Sequence, residues 1–284
     1  MNMKNLLLSV LLLNVISLSS QTIETGESRR LFNDNRKGFH PVFNAEGNLL
    51  AFTTENYEGL NVYDFSIQSV LRVSDEPGAG FEPVFSKDGK IFYETTVYKS
   101  NLRYEGLKSY DLQKKTVKVE LEPQRDLKPL RNAKMKTAAP LVWSDGQHLN
   151  IDKNGKIEIL DPVENANGYI WASLSPDGKM ILFNAVAVGT FVSDLKGNII
   201  ASFGYLSAPA WYDNGFVVGM QDKDDGHNIT ESKVIITNLA GTVTKQLSEP
   251  GQIAMYPTAS SVAKKVAYNT LEGDIYVLEL SINK

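Results

Sequence analysis

A seven-residue frame recurs six times along the chain and limits the possible folds more than any other feature. Its copies are Pro41-Val-Phe-Asn-Ala-Glu-Gly47, Pro83-Val-Phe-Ser-Lys-Asp-Gly89, Pro140-Leu-Val-Trp-Ser-Asp-Gly146, Ala172-Ser-Leu-Ser-Pro-Asp-Gly178, Pro209-Ala-Trp-Tyr-Asp-Asn-Gly215 and Pro257-Thr-Ala-Ser-Ser-Val-Ala263. Five of the six end in Gly preceded by Asp, Asn or Glu, and the sixth has decayed to Val262-Ala263. A short apolar strand therefore runs into a turn where an acidic or amide side chain can accept backbone hydrogen bonds and Gly can take positive φ.

A second apolar segment follows each turn, from Leu49–Thr54 in the first copy to Lys265–Asn269 in the last, and a third follows after a short loop. Several units add a fourth, at 69–74, 116–121, 198–203 and 242–247. The frames step by 42, 57, 32, 37 and 48 residues. Four short antiparallel strands per ~40–50 residues make one blade of a β-propeller, whereas helical repeats would show a 3.6-residue apolar period. The expected fold is all-β, a six-bladed propeller with blades near 36–74, 80–122, 137–165, 169–204, 206–248 and 254–284. The last unit stops after its third strand. Leu31 lies ten residues before Pro41, as Val73 does before Pro83 and Leu247 before Pro257. Residues 28–32 are therefore expected to complete blade six, which would remove the unpaired edges of an open ring.

Arg30-Leu31-Phe32-Asn33-Asp34, His40-Pro41-Val42-Phe43 with Gly47 to Thr54, and Leu174-Ser175-Pro176-Asp177-Gly178 with Lys179 to Phe183 together resemble the repeat of TolB-like, WD-type bacterial propellers. The resemblance spans about residues 28–281. It implies the fold and is weak for function, because the repeat also serves peptidase propellers and oligosaccharide lyases. The member that names the family carries an additional N-terminal α/β domain. Residues 21–28 leave no room for one, so its role does not transfer.

The first twenty residues carry a single charge, Lys4, followed by Leu6 to Leu13 and small residues at Ser17, Ser19 and Ser20. That pattern predicts a signal peptide over 1–20, cleaved after Ser19 or Ser20, and a periplasmic or secreted mature chain 21–284. Its apolar run is shorter than the ~20 residues a membrane span needs, so no membrane insertion is expected once it is removed. Without it, 28 basic residues face 33 acidic ones, a formal −5 that gives no steer toward nucleic acid. The chain has no cysteine, which excludes disulfides and zinc–thiolate sites. It is expected to be a monomer.

Chemistry-bearing patterns are sparse. His40, His148 and His227 occupy three different repeat positions, a poor arrangement for ligands that must converge on one ion at ~2.1 Å. There is no Gly-x-Ser-x-Gly elbow or phosphate-cradling Gly loop, and the recurring Asp88, Asp145, Asp177 and Asp213 are assigned to turns. No catalytic residue, metal or cofactor is predicted. The acidic run Asp222-Lys223-Asp224-Asp225-Gly226-His227 lacks the spacing of an EF-hand. Asp222, Asp224, Asp225 and His227 are assigned to a solvated hairpin extension that is a candidate for a cation or polar ligand. The basic stretch from Lys114 to Lys136, in the longest repeat step, reads as a solvated insertion.

In a propeller the first strand of each blade lines the central channel, so the residue just before each frame should recur near one mouth. That column is His40, Glu82, Ala139, Trp171, Ala208 and Tyr256. Trp171 and Tyr256 would offer flat apolar surface, and His40 and Glu82 hydrogen bonds. A His40–Glu82 pair would titrate near neutrality. The expected function is non-enzymatic binding of a protein or glycan of the cell envelope at one face of the ring. The alternative is a carbohydrate-active hydrolase or lyase with its site in the central funnel.

Overall fold

The computed structural model describes residues 21–125 and 140–283. Residues 1–20, with the expected signal peptide, and 126–139, with the C-terminal half of the basic stretch and Ala139, lie outside them. The chain enters through two short strands, β1 (Thr22–Thr25) and β2 (Arg29–Arg30). Blade one is β3 (Phe39–Phe43), β4 (Leu49–Thr53), β5 (Glu58–Asp64) and β6 (Ser69–Pro77), with a single 3-10 turn at Glu55–Tyr57. Blade two is β7 (Val84–Phe85), β8 (Lys90–Lys99), β9 (Leu102–Asp111) and β10 (Thr116–Gln124). Blade three has β11 (Leu141–Ser144), β12 (Leu149–Lys153) and β13 (Lys156–Ile159) among the described residues. Blade four is β14 (Tyr169–Leu174), β15 (Met180–Ala185), β16 (Gly189–Asp194) and β17 (Ile199–Gly204). Blade five is β18 (Ser207–Trp211), β19 (Phe216–Asp224), β20 (Ile229–Asn238) and β21 (Thr244–Gln246). Blade six is β22 (Ala254–Ser260), β23 (Lys265–Thr270) and β24 (Ile275–Asn283).

Each blade is an antiparallel meander in sequence order. First strands of successive blades touch one another, β11 with β14, β14 with β18, β18 with β22 and β22 with β3, so they form the centre of the ring. Turn chemistry follows the repeated acidic positions. Asp145 Oδ1 accepts the backbone N–H groups of Gln147 and His148, and Asp213 Oδ1 those of Gly215 and Phe216. In blade one Asn44 Oδ1 takes the N–H of Leu49. The decayed sixth frame keeps its turn by moving the left-handed residue one place on, to Lys264 at φ 52°.

The N-terminal segment closes blade six, and it does so over a longer run than residues 28–32. Thr22 to Thr25 pair with Asn283 to Leu280, and Arg29 and Arg30 with Val277 and Tyr276. Between and beyond them, Gly26 donates to the Glu279 carbonyl and Leu31 to that of Ile275. A nine-residue β24 is long enough to template both strands. The apolar anchor is Phe32, 6% exposed, with Leu31 half-buried beside it.

Blades stack by burying apolar side chains between neighbours. Separate clusters join blades one and two, three and four, four and five, five and six, and six and one. Tyr268, Phe52, Phe183 and Phe216 are nearly or fully enclosed in them. At ~25 cal/mol per Å² of apolar surface, such seams supply most of what holds the ring together. Among the described residues the seam between blades two and three carries no such cluster.

The basic stretch is partly strand. Thr116–Gln124 is the outer strand of blade two, as expected for 116–121, with Lys118 on Glu120 at 2.8 Å. Val117 and Val119 pair with Tyr110 and Lys108 of β9, which extends the expected fourth strand at 116–121 by three residues. Among the described residues no helix is long and apolar enough to cross a membrane.

Candidate functional site

Because the strands of each blade alternate in direction, the start of every first strand and the loop between second and third strands lie on the same face. On this face sits the column of residues that precede the frames. His40, Glu82, Trp171, Ala208 and Tyr256 have φ of 49°, 43°, 54°, 44° and 50°. Left-handed backbone is uncommon outside glycine, and for a bulky aromatic it costs of order 1–3 kcal/mol. Its recurrence at five equivalent positions therefore reflects a shared device. In four of the blades the ladder of the first strand shifts register across this residue, between Phe39 and Val42, Ile170 and Ser173, Ser207 and Ala210, and Met255 and Thr258. A bulge of this kind re-aims a side chain that regular pleating would point elsewhere. At His40 the twist is held by its backbone N–H, which donates to the Oδ1 of the buried Asn269 of blade six at 3.0 Å.

The structure brings part of the column together. The His40 ring lies between Tyr256 of blade six, centroids 3.9 Å apart, and Tyr57 of blade one, 4.5 Å away and stacked. Tyr57 in turn meets Phe81 edge-on at 5.3 Å. Burial raises the Tyr57 hydroxyl pKa, and the neighbouring Tyr256 and Glu82 add to that, so Glu82 faces the same cluster. Trp171, from blade four, is 36% exposed and joins none of these ring pairs. Ala208 is buried with Met220 and Met255, and Tyr256 packs on that group.

The expected titration of His40 near neutrality is corrected. Burial between two tyrosines disfavours the imidazolium and lowers the His40 pKa to about 4. The ring is therefore neutral at physiological pH. Tyr57, Phe81 and Tyr205 do not follow from the frame. Phe81 directly precedes the column residue Glu82, which is a signal that was available, whereas Tyr57 reaches the mouth only because Asn56 and Tyr57 both adopt left-handed backbone.

The acidic hairpin divides. Asp224 Oδ1 accepts the N–H of Gly226, and Asp225 Oδ1 those of His227 and Asn228, so these two carboxylates shape the turn. His227 sits exposed at the tip. Asp222, lower on β19, belongs to the mouth. Its Oδ2 accepts the Tyr205 hydroxyl at 2.9 Å, and its charge adds to burial in raising the Tyr256 hydroxyl pKa. Among the described residues no three His, Asp or Glu side chains gather as metal ligands. His148, in blade three, instead holds Asp161 through Nδ1 at 2.5 Å, which raises its pKa.

No protein-family model matches the chain, and no curated protein matches its sequence. Its fold is similar to that of TolB from Acinetobacter baumannii, 14% identical with a TM-score of 0.56 over 81% of this chain. The chain spans 59% of the length of that protein. It is also similar to regucalcin from Agrobacterium tumefaciens, described as a calcium-binding protein, at 13% identity and a TM-score of 0.60, covering 90% of this chain and 94% of that one. The propeller domain of Cps50 (Swd1) from Myceliophteria thermophila is 13% identical with a TM-score of 0.54, covering 92% and 100%. At such identities the likeness concerns the fold. In fold, the chain is a six-bladed β-propeller, similar to that of TolB, closed by its own N-terminal segment.

Proposed function

We propose that the protein is an exported binding module that takes a protein of the cell envelope at the mouth formed by His40, Tyr57, Glu82, Trp171, Asp222 and Tyr256. The observation that carries this reading is the column of five left-handed residues, three of them aromatic or imidazole, repeated blade after blade. Holding bulky rings in a disfavoured conformation costs the fold stability, and a binding site gains pre-set side chains from it. Rigid blades supply the support, and aromatic anchors beside a few polar groups are the usual composition of a binding hot spot. Export to the periplasm or medium rests on the leader-like first twenty residues.

The test is capture from the envelope fraction of the producing cell with the mature protein as bait. Trp171→Ala and Tyr256→Ala should each weaken retention of the captured protein by roughly 1–3 kcal/mol, as for aromatic anchors. Val262→Ala, at a turn on the opposite face, should leave it unchanged. Retention that responds to Val262→Ala and to neither aromatic change would move the site to the other face.

A further inference from the structure

The part of the mouth between blades five, six and one is both aromatic and anionic. Asp222 uses one oxygen on the Tyr205 hydroxyl, but its Oδ1 is buried and has no hydrogen-bond partner. A buried acceptor left without a donor is costly, more so when charged, and native folds rarely keep one without a reason. Beside His40 a cleft of about 280 Å³ is lined by Phe39, Thr54, Glu55, Asn56 and Leu271, which adds the Glu55 carboxylate to this arc. The basic side chains on the flanking loops are already engaged. Arg36 pairs with Asp34 at 3.3 Å, Lys37 with Asp274 at 3.0 Å and Lys223 with Glu231 at 2.7 Å.

Ring faces carry negative electrostatic potential, and their attraction for a cation grows when water is displaced. A neutral sugar would hydrogen-bond to Asp222 and leave its charge uncompensated, whereas an N–H bearing cation satisfies both. We infer that this mouth binds an organic cation, an ammonium or guanidinium group, which pairs with the Asp222 carboxylate and rests against the Tyr205 and Tyr256 side chains. The inference deepens the binding reading above and depends on it. In a protein partner the group is a lysine or arginine side chain, and a free amine shares the chemistry.

The experiment titrates the mature chain with capped tri-lysine, capped tri-arginine, Nε-acetylated tri-lysine and n-butylammonium, at constant ionic strength, following the Tyr205 and Tyr256 ring signals by NMR. The cationic peptides should shift both rings, the acetylated peptide should not, and Asp222→Asn should weaken binding at least ten-fold at an unchanged melting temperature. Glu272→Gln, which removes a charge from an exposed loop on the same face, should leave it within two-fold. n-Butylammonium binding as tightly as the peptides would assign the cation to a free amine and still support the inference. Equal binding of the acetylated peptide, no binding of any cation, or no effect of Asp222→Asn would overturn it. If envelope capture is lost in Tyr256→Ala and kept in Asp222→Asn, the mouth is the site and the cation is wrong. If both variants retain capture, both readings fail.

Discussion

Phe32 is the apolar anchor of the segment that closes the ring, and Phe32→Ala measures its worth. Phe32 is 6% exposed and packs with Phe43, Leu50, Phe52, Ala267 and Ile275, so it bridges blades one and six. Its ring sits 5.3 Å from that of Phe52 and 5.8 Å from that of Tyr63, with the Arg36 guanidinium 5.0 Å above it. Truncating a buried Phe costs about 3–5 kcal/mol through lost transfer energy and the cavity left behind. For a chain of this size each kcal/mol lowers the melting temperature by roughly 2–4 °C, so the variant should melt about 6–20 °C lower. Leu31→Ala, half-buried, should cost less than half as much. Calorimetry of the wild type and both variants is the assay. A Phe32→Ala shift below about 2 °C would show that the N-terminal segment lies on blade six without holding the ring, and the closure argument would fail.

Other perturbations probe separate parts of the account. The His40 imidazole, with its pKa lowered to about 4 against an ordinary 6.5, should stay unprotonated in an NMR titration down to pH 5. The unfolded chain then binds the proton first, so the contribution of His40 is intact above pH 6.5 and is lost as pH falls toward 4. His148 acts in the opposite sense, because its raised pKa makes the Asp161 pair stabilising below pH 6.5 and lost as pH rises past the folded value. Gly47→Ala should destabilise by more than 1 kcal/mol in denaturant melts, since Gly47 has φ 69° and an added methyl would sit 2.5 Å from the Ala263 methyl of blade six. EDTA should leave the melting temperature within about 1 °C and calcium should not raise it, because Asp224 and Asp225 are held in the hairpin turn. A rise with calcium would make that hairpin a metal site.

The propeller was readable because each blade's signal is local. An apolar strand, an acidic turn residue and a second strand can all be seen within about fifteen residues, and six copies fix the ring. Closure was readable from the spacing of Leu31, but the anchor is Phe32 and the pairing begins at Thr22, since only the length of β24 decides how far a partner strand runs. The column at the mouth was legible in position and not in mechanism. Nothing in His40-Pro41 or Trp171-Ala172 announces a left-handed residue, which coincides with a bulge in both and, at His40, with a cross-blade bond to Asn269. Asp222 was grouped with Asp224 and Asp225 by sequence nearness, whereas two residues along a strand separate a channel mouth from a hairpin tip. The neutral state of His40 depends on Tyr57 and Tyr256, which come from different blades, so no local pattern reveals it.

If one face of the ring does the binding, site-specific photo-crosslinking separates that face from the other. A benzoylphenylalanine placed at position 205, beside Asp222 and 59% exposed, reports the mouth with the aromatic column. The same group at position 262, 73% exposed, reports the opposite face. Irradiated in the intact envelope of the producing cell, the first should give a single discrete adduct and the second none. An adduct from position 262 with none from position 205 would contradict the account.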